Sequence, residues 1–371
     1  MSDSEIFLLS SSSSSSSSDE ERISVCLNEI LYSRTKNENY FETIVPQYTD
    51  QQYLEHFRIS KHLSAKLSTE FEASHYYSKS DTGFDRIPAQ KCIAIFCWYA
   101  GHEAAGFRDV ADRFNISIST LHQLIEKVVY FLSYKSPSVI KWPNETEKRE
   151  NEKLFKENGF FGAIGCIDGT HIKIDKQSDD PDSYLNRKKY YSIQAQVVCD
   201  STKRIIDVFI GYPGSVHDSR VFTTSPLYNN LAEKCGDYYI LGDSAYPCLK
   251  SIMTPYRDNG HLNPTEKNYN YKFSQSRIRI EHVFGIVKQK FRQLYHLKLQ
   301  NINTICHFIR ACFVLYNLSL DDDVNIDDVN EECNGNDNMI MHNEDDDENE
   351  GDDAGKNFRN YIAAVLYNIG D

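Results

Sequence analysis

Three acidic residues lie where carboxylates are uncommon. Asp168 interrupts the apolar run "FFGAIGCIDGTHI", Asp243 directly follows "YYILG", and Glu281 lies in a long amphipathic helical pattern. The gaps between them are 74 and 37 residues, and a fourth acidic residue, Asp218, is predicted in the first turn of a helix. Carboxylates that converge from different elements can hold hard divalent cations. Two such cations can stabilise both oxygens of a phosphodiester displacement, so the pattern predicts phosphodiester hydrolysis.

Each acidic residue also has a purely structural interpretation. Asp168 can belong to a turn with the glycine that follows it, and Asp243 can end a strand through an Asx-turn. Asp218 can stabilise a helix N-terminus, and Glu281 can form an i,i+4 pair with Arg277. Their joint occurrence in a strand, at a strand end and on a helix favours a site.

Basic residues share the helical face of Glu281. At 100° per residue, Arg277, Gly285, Lys288 and Arg292 lie within about 40° of that carboxylate. Cations beside a metal-binding carboxylate, with a glycine that allows close approach, suit a nucleic-acid backbone. Arg277, Lys288 and Arg292 are therefore predicted to contact DNA.

The acidic residues follow strand and helix patterns in a definite order. "FFGAIGCIDGTHIKI" is typical of a central strand that is covered on both faces. "YSIQAQVVC", "DSTK" and "RIIDVFIGY" predict an antiparallel hairpin, and "PGSVHDSRVF" predicts a turn into a helix. "YYILGDSAYP" predicts another strand, and helices are predicted over "FSQSRIRIEHVFGIVKQKFRQLYHL" and "NTICHFIRACFVLYNL". This order predicts an α/β or α+β domain over 155–320, with a mixed sheet flanked by helices.

The preceding region, 41–135, has a helical pattern. "PAQKCIAIFCWYAG" predicts a buried helix with Pro88 at its start. "FRDVADRFNISISTLHQLI" has the spacing of a helix-turn-helix, with Asn115 at the turn. A helical hairpin that only packs on its neighbour is the alternative. As a DNA-reading helix, the second helix would expose Thr120, His122, Gln123 and Lys127.

The charge of the chain is unevenly distributed. The net charge is −14, but 321–353 contain sixteen acidic and no basic residues, and the serine-rich stretch 1–22 has a net charge of −4. The remaining residues therefore carry a net charge of +6. Both acidic segments are predicted to be disordered. We expect a linker over 136–154 and a C-terminal helix over 354–371.

Cysteine spacing and hydropathy bound the class of protein. None of the ten cysteines forms a C-x-x-C pair, which indicates buried thiols in a reducing compartment. The longest apolar stretch, "CIAIFCWYA", is shorter than the ~18–20 residues of a membrane span, and the N-terminus lacks the pattern of a secretory signal. A soluble intracellular protein without membrane association is expected.

Four motifs together resemble one family. "CIDGTHI", "PGSVHDSRVF", "LGDSAYP" and "RIRIEHVFGIVKQKFRQL" resemble the DDE endonuclease domain of PIF/Harbinger transposases and of Harbinger transposase-derived nucleases. The resemblance covers roughly 155–320, and the helical region ahead of it is also similar. It implies an RNase H-like fold with Asp168, Asp243 and Glu281 as catalytic residues. It further implies Mg²⁺ or Mn²⁺ bound by these three and Asp218, and in-line attack of a metal-activated water on DNA.

The resemblance also implies partners and a location. Members of the family commonly work in the nucleus with a separate Myb/SANT-like DNA-binding protein, and a cytoplasmic pool or a homo-oligomer is compatible with the sequence. The basic cluster "RKK" at 187–189 is a weak nuclear-import signal. The alternative function is that of a catalytically silent, domesticated transposase that acts as a DNA- or protein-binding nuclear factor.

Overall fold

The computed structural model describes residues 36–77, 86–157, 159–322 and 351–368. The predicted disordered stretch 1–22 and nearly all of the acidic segment 321–353 lie outside these residues. None of the described helices is long and apolar enough to cross a membrane. Eight cysteines in the described part are free, and all of them except Cys306 are buried.

Thirteen α-helices are described. In chain order they are α1 (Asp50–Phe57), α2 (Lys61–Glu72), α3 (Ala89–Gly101), α4 (Phe107–Arg113), α5 (Ile118–Tyr134), α6 (Ser136–Val139), α7 (Glu145–Glu157), α8 (Pro181–Tyr184), α9 (Asp218–Thr224), α10 (Pro226–Cys235), α11 (Pro264–Lys290), α12 (Ile302–Leu320) and α13 (Asp353–Asn368).

Within the described residues, six strands form one mixed sheet. They are β1 (Ala163–Ile174), β2 (Ser192–Cys199), β3 (Ile205–Pro213), β4 (Tyr239–Leu241), β5 (Ile252–Met253) and β6 (His296–Leu297). The order is β3-β2-β1-β4-β5, and β6 pairs with the end of β1. The β1–β2 and β2–β3 pairs are antiparallel, whereas β4, β5 and β6 pair in parallel. The predicted hairpin and the predicted mixed sheet flanked by helices are confirmed.

The central strand β1 alternates between two apolar layers. Cys166 and Ile172 belong to a large core that α11 and α12 share, whereas Ile167 belongs to a smaller cluster with Phe222 and Leu227 of α9 and α10. Side chains of successive strand residues point to opposite faces. Even-numbered residues from 166 onward therefore face α11, and odd-numbered residues face α9.

The helical region before the sheet shares the large core. Eleven of the thirteen residues of α3 are buried, as its apolar sequence predicts. Asn115 has a φ of 52° in the turn between α4 and α5, and the side chain of Ser117 caps α5. The α5 helix packs closely on α12. Residues 136–154, which the sequence suggests as a linker, contain α6 and most of α7.

The long helix α11 differs from its predicted bounds. It begins at Pro264, nine residues before the predicted start, because Asn263 and Glu266 form a reciprocal capping box. It ends at Lys290, since Phe291 leaves the helical conformation and the chain continues into β6. The C-terminal helix α13 is present as predicted, and it packs along α11.

Candidate active site

Asp168 and Asp243 occupy equivalent positions on two neighbouring strands. The last paired residues of the parallel strands β1 and β4 are Cys166 and Leu241. Each aspartate lies two residues beyond this pair. Because neighbouring strands are about 4.8 Å apart, the two carboxylates leave the sheet side by side.

Helix α11 places Arg277 against these carboxylates. Nη2 of Arg277 donates to Oδ2 of Asp168 at 2.9 Å, and both side chains are less than one-fifth exposed. Burial by itself would lower the pKa of Arg277, but Asp168, Asp243, Cys166 and Glu281 together raise it above its usual value. The guanidinium is therefore a fixed cation that is paired with Asp168 and is also stabilised by the charges of Asp243 and Glu281. Glu281 itself is exposed, one helical turn further along.

Asp218 reaches the site from the opposite face of β1. It begins α9, and its Oδ1 would lie only 2.4 Å from a Cβ built on Gly169. Gln194 of β2 donates from Nε2 to Oδ1 of Asp218 at 2.9 Å. A glycine is thus required at 169 because the Asp218 carboxylate fills the space of a side chain.

Tyr246 belongs to the smaller apolar cluster on the α9 face, where its ring packs on Phe222. Its side chain is buried, and its hydroxyl has no hydrogen-bond partner among the described residues. Burial first, and then Asp218, Asp168 and Asp243, raise the pKa of this phenol well above its usual value. Three carboxylates therefore approach one buried and neutral oxygen.

Two of the structural interpretations hold and one is wrong. Asp168 and Gly169 do not form a turn, because both lie within β1 and pair with Val197 and Gln196 of β2, although the amide of Gly169 donates to Oδ1 of Asp168 at 2.8 Å. The amide of Ala245 donates to Oδ1 of Asp243 at 3.0 Å, which is an Asx-turn. Asp218 lies in the first turn of a helix, where the helix dipole favours a negative charge. Each aspartate has a local role in addition to its place in the cluster.

The oxygen donors fit Mg²⁺ or Mn²⁺ in chemical type. Carboxylate oxygens are hard ligands of the kind that these ions prefer, and the buried hydroxyl of Tyr246 near them lacks a partner in the described part of the chain. Among the described residues, however, no three His, Cys, Asp or Glu side chains are arranged as a ready metal site. The guanidinium of Arg277 is the positive charge next to Asp168 in this structure.

The structure places the other predicted DNA contacts of the sheet region in two different locations. Lys288 lies on α11, and its Nζ donates to the carbonyl oxygen of His171 at 3.1 Å, close to the site. Gly285 faces open space. The placement of Arg292 on the helical face of Glu281 is wrong, because α11 ends at Lys290. Arg292 instead lies near Arg58 of the helical region, whose pKa it helps to lower after burial.

The predicted DNA-reading residues follow one side of α5. His122, Gln123 and Lys127 are exposed, and Thr120 is partly exposed. The ring of His122 stacks on Phe107 of α4, with centroids 4.0 Å apart. The hydroxyl of Thr120 bonds that of Ser117 at 2.7 Å. The two helices and their turn thus present a polar surface, and its contact with DNA stays a prediction.

Two residues near the carboxylates were not predicted. Gln194 is buried and holds Asp218, and Tyr246 supplies the buried hydroxyl. The strand sequence "SIQAQVV" could have pointed to Gln194, since a polar glutamine in a doubly covered strand needs a buried hydrogen-bond partner. Tyr246 has no such signal, because tyrosine in "DSAYP" is equally typical of an apolar turn.

Comparison with known proteins agrees with the geometry. Residues 167–317 match the family described as DDE superfamily endonuclease. The chain is 29% identical over 220 residues to HARBI1 of Homo sapiens, whose name includes the word nuclease. That match covers 57% of this chain and 62% of the relative.

Plant relatives match over a similar length. The Arabidopsis thaliana protein named ALP1-like is 26% identical over 238 residues, and the match covers 59% of this chain and 58% of the relative. The chain therefore spans less than two thirds of the length of these relatives. No solved structure matches the chain. The predicted resemblance is confirmed: the chain carries a DDE superfamily endonuclease domain and is related to the Harbinger transposase-derived nucleases.

Proposed function

We propose that this protein is a metal-dependent DNA endonuclease of the DDE transposase type. The observation that carries the proposal is the equivalent position of Asp168 and Asp243, each two residues beyond the last β1–β4 pair. The pairing of these neighbouring parallel strands brings the two carboxylates side by side just beyond the point where β1 and β4 part. Glu281 lies on α11 and Asp218 begins α9, and carboxylate oxygens from several elements are the donors that hard cations prefer.

The residues have separate roles in this proposal. Asp168, Asp243, Glu281 and Asp218 would hold Mg²⁺ or Mn²⁺, and the bound ions would supply an activated water and stabilise the charge on the scissile phosphate. Gln194 orients Asp218 through the 2.9 Å hydrogen bond. Arg277 orients Asp168 through the 2.9 Å ion pair. Lys288 lies at the edge of the site and would contact the DNA backbone.

The remaining predictions belong to the same proposal. We infer an RNase H-like arrangement of the sheet and a helix-turn-helix formed by α4 and α5, with Thr120, His122, Gln123 and Lys127 towards DNA. Arg277 and Arg292 stay proposed DNA contacts. A nuclear location and a Myb/SANT-like partner protein are proposed from the family resemblance alone.

A catalytically silent DNA-binding factor is the second candidate. The observation that favours it is the ion pair between Arg277 and Asp168, which already neutralises one of the proposed metal ligands without a metal. A silent factor would bind DNA and show no cleavage with any divalent cation.

The test is nicking of supercoiled plasmid DNA by the full chain with Mg²⁺ or Mn²⁺. The variant is Asp243→Asn, because asparagine retains the Asx-turn acceptor and removes only the charge. We expect cleavage to fall by at least about 10²-fold, because a divalent-metal ligand contributes several kcal/mol to the transition state.

Asp258→Asn is the matched control. Asp258 is exposed and also accepts an Asx-turn hydrogen bond, from the amide of Gly260 at 2.9 Å. Its variant should cleave like the wild type. Equal cleavage by the wild type and Asp243→Asn would contradict the proposed site, and a wild type that binds DNA without cleaving it would favour the silent factor.

A further inference from the structure

The basic cluster Arg187, Lys188 and Lys189 forms the tip of a fixed turn. All three residues are exposed, whereas the preceding residue, Asn186, is buried. The amide of Lys189 donates to the carbonyl oxygen of Asn186 at 2.9 Å, and the amide of Asn186 donates to the carbonyl oxygen of Tyr190 at 3.0 Å. The Asn186 side chain also accepts from the amide of Tyr190 at 3.2 Å. The three cations are therefore presented on an ordered backbone.

The turn is attached to the strand that carries Asp168. Nδ2 of Asn186 donates to Oγ of Ser192 at 3.1 Å, and this hydroxyl bonds Nδ1 of His171 at 3.0 Å. His171 lies on β1, three residues after Asp168. Two side-chain hydrogen bonds thus connect the base of the basic turn to the candidate active site.

The cations themselves also lie near the site. The guanidinium of Arg187 contacts the imidazole of His217, and His217 is the N-cap of the helix that begins with Asp218. Burial, followed by the charges of Lys288 and Lys188, lowers the pKa of His171 to about 4. Lys288 thus contacts the backbone of His171, and the charge of Lys188, from a different element, acts on the same histidine.

This placement changes the interpretation of the "RKK" sequence. An import receptor would have to read the cluster as an accessible segment, but here its backbone is closed by hydrogen bonds at both ends and Lys189 has a φ of 65°. The acidic cluster next to it would repel a phosphate backbone. Cations beside the carboxylates offset that repulsion.

We propose that Arg187, Lys188 and Lys189 bind the phosphate backbone of DNA beside the carboxylate cluster. Together with Lys288, they form a basic border along one side of the site. This inference rests on the proposed function in that the ligand is DNA, but it concerns binding and not cleavage.

The test is DNA affinity without divalent metal, measured by fluorescence anisotropy on a labelled duplex over a series of salt concentrations. The variant is Arg187→Gln, Lys188→Gln, Lys189→Gln in the full chain. We expect affinity to fall about tenfold or more at low salt. The slope of log affinity against log salt should decrease by roughly 1–3, since each phosphate contact contributes about 0.9.

A matched control has the same change of charge elsewhere. Arg149, Lys153 and Lys156 are exposed on α7, which packs on β1 and does not belong to the turn. Their triple glutamine variant should retain DNA affinity. The double variant Lys188→Gln, Lys189→Gln keeps the contact of Arg187 with His217. A loss of DNA affinity in this variant would therefore be caused by the lost positive charges and not by a change in the structure of the turn.

The outcomes separate this inference from the proposed function. Equal losses in the turn and α7 variants, no loss in the turn variants, or a wild type without DNA affinity would overturn the inference. Unchanged DNA affinity with lost nuclear accumulation of a fluorescent fusion would establish the import signal instead. Reduced affinity of the turn variants beside a wild type that does not cleave would uphold the inference and overturn only the nuclease.

Discussion

The two faces of β1 hold their acidic side chains in different ways. On the α11 face, Asp168 is paired with the mostly buried cation of Arg277. On the α9 face, Asp218 lies over Gly169 and receives a hydrogen bond from the neutral amide of Gln194. One carboxylate is therefore positioned by charge, and the other by steric fit and a neutral donor.

The difference indicates how such a cluster is tolerated without metal. Carboxylates that lie close together repel one another, and burial increases the penalty. Arg277 reduces this repulsion on one face, where it is surrounded by Asp168, Asp243 and Glu281. On the other face the structure depends on the absence of a side chain at 169. Electrostatic changes should therefore affect the first face, and changes of volume the second.

The largest effect is expected for Arg277→Met, which removes the cation and retains most of the volume. Asp168 would be left as a mostly buried carboxylate without its ion pair, so we expect the free energy of unfolding at neutral pH to fall by about 2–3 kcal/mol. Mn²⁺ should restore part of this loss if the carboxylates bind the metal. The measurement is chemical unfolding with and without Mn²⁺.

Arg279→Met is the control for this variant. Arg279 lies two residues further on the same helix, where it donates to the carbonyl oxygen of Ser201 and lies over the ring of Phe155. Its variant should lose stability without recovery in Mn²⁺. The same Mn²⁺ response in both variants would mean that Arg277 has no special relation to the acidic cluster.

A smaller effect is expected for Gly169→Ala on the α9 face. The added Cβ would come within 2.4 Å of Oδ1 of Asp218, so the carboxylate has to move away. We expect a destabilisation of about 1–2 kcal/mol and a loss of metal-dependent nicking.

Gly285→Ala is the control for this variant, because nothing lies within 4 Å of a Cβ added at that position on α11. It should stabilise the chain by about 0.5–1 kcal/mol. Equal effects of the two substitutions would contradict the steric role of Gly169.

An effect of similar size, confined to acidic pH, is expected from the titration of His171. Its pKa is lowered to about 4, by burial first and then by Lys288 and Lys188. In the unfolded chain the imidazole titrates near 6.5. The unfolded state therefore binds more protons between these values, and stability is lost as the pH falls from about 6.5 to 4.

His171→Gln should remove about 1–2 kcal/mol of that acid-induced loss. Unfolding of the wild type and the variant across this pH range is the measurement, and His282→Gln, an exposed position on α11, is the control. Parallel stability curves for the wild type and His171→Gln would show that this histidine does not couple folding to pH.

Local patterns predicted most of the elements near the site. The hairpin of β2 and β3, the buried helix α3 and the strand that carries Asp168 all follow from periodicity within short segments. Periodicity did not predict the end of α11. Residues 296–297 pair with the end of β1, so the helix has to stop before them. A helical pattern that continues in sequence cannot indicate a distant strand that competes for the same residues.

The sequence by itself determined which residues can carry the chemistry and on which kind of element each of them lies. Only the tertiary structure decided which residues they contact. It set the Cys166–Leu241 register that aligns Asp168 with Asp243, and it paired Arg277 with Asp168. It also placed the basic turn at 187–189 beside the site. Periodicity and capping are properties of neighbouring residues. The ion pair between Asp168 and Arg277 joins residues 109 positions apart, and the packing of the whole domain brings them together.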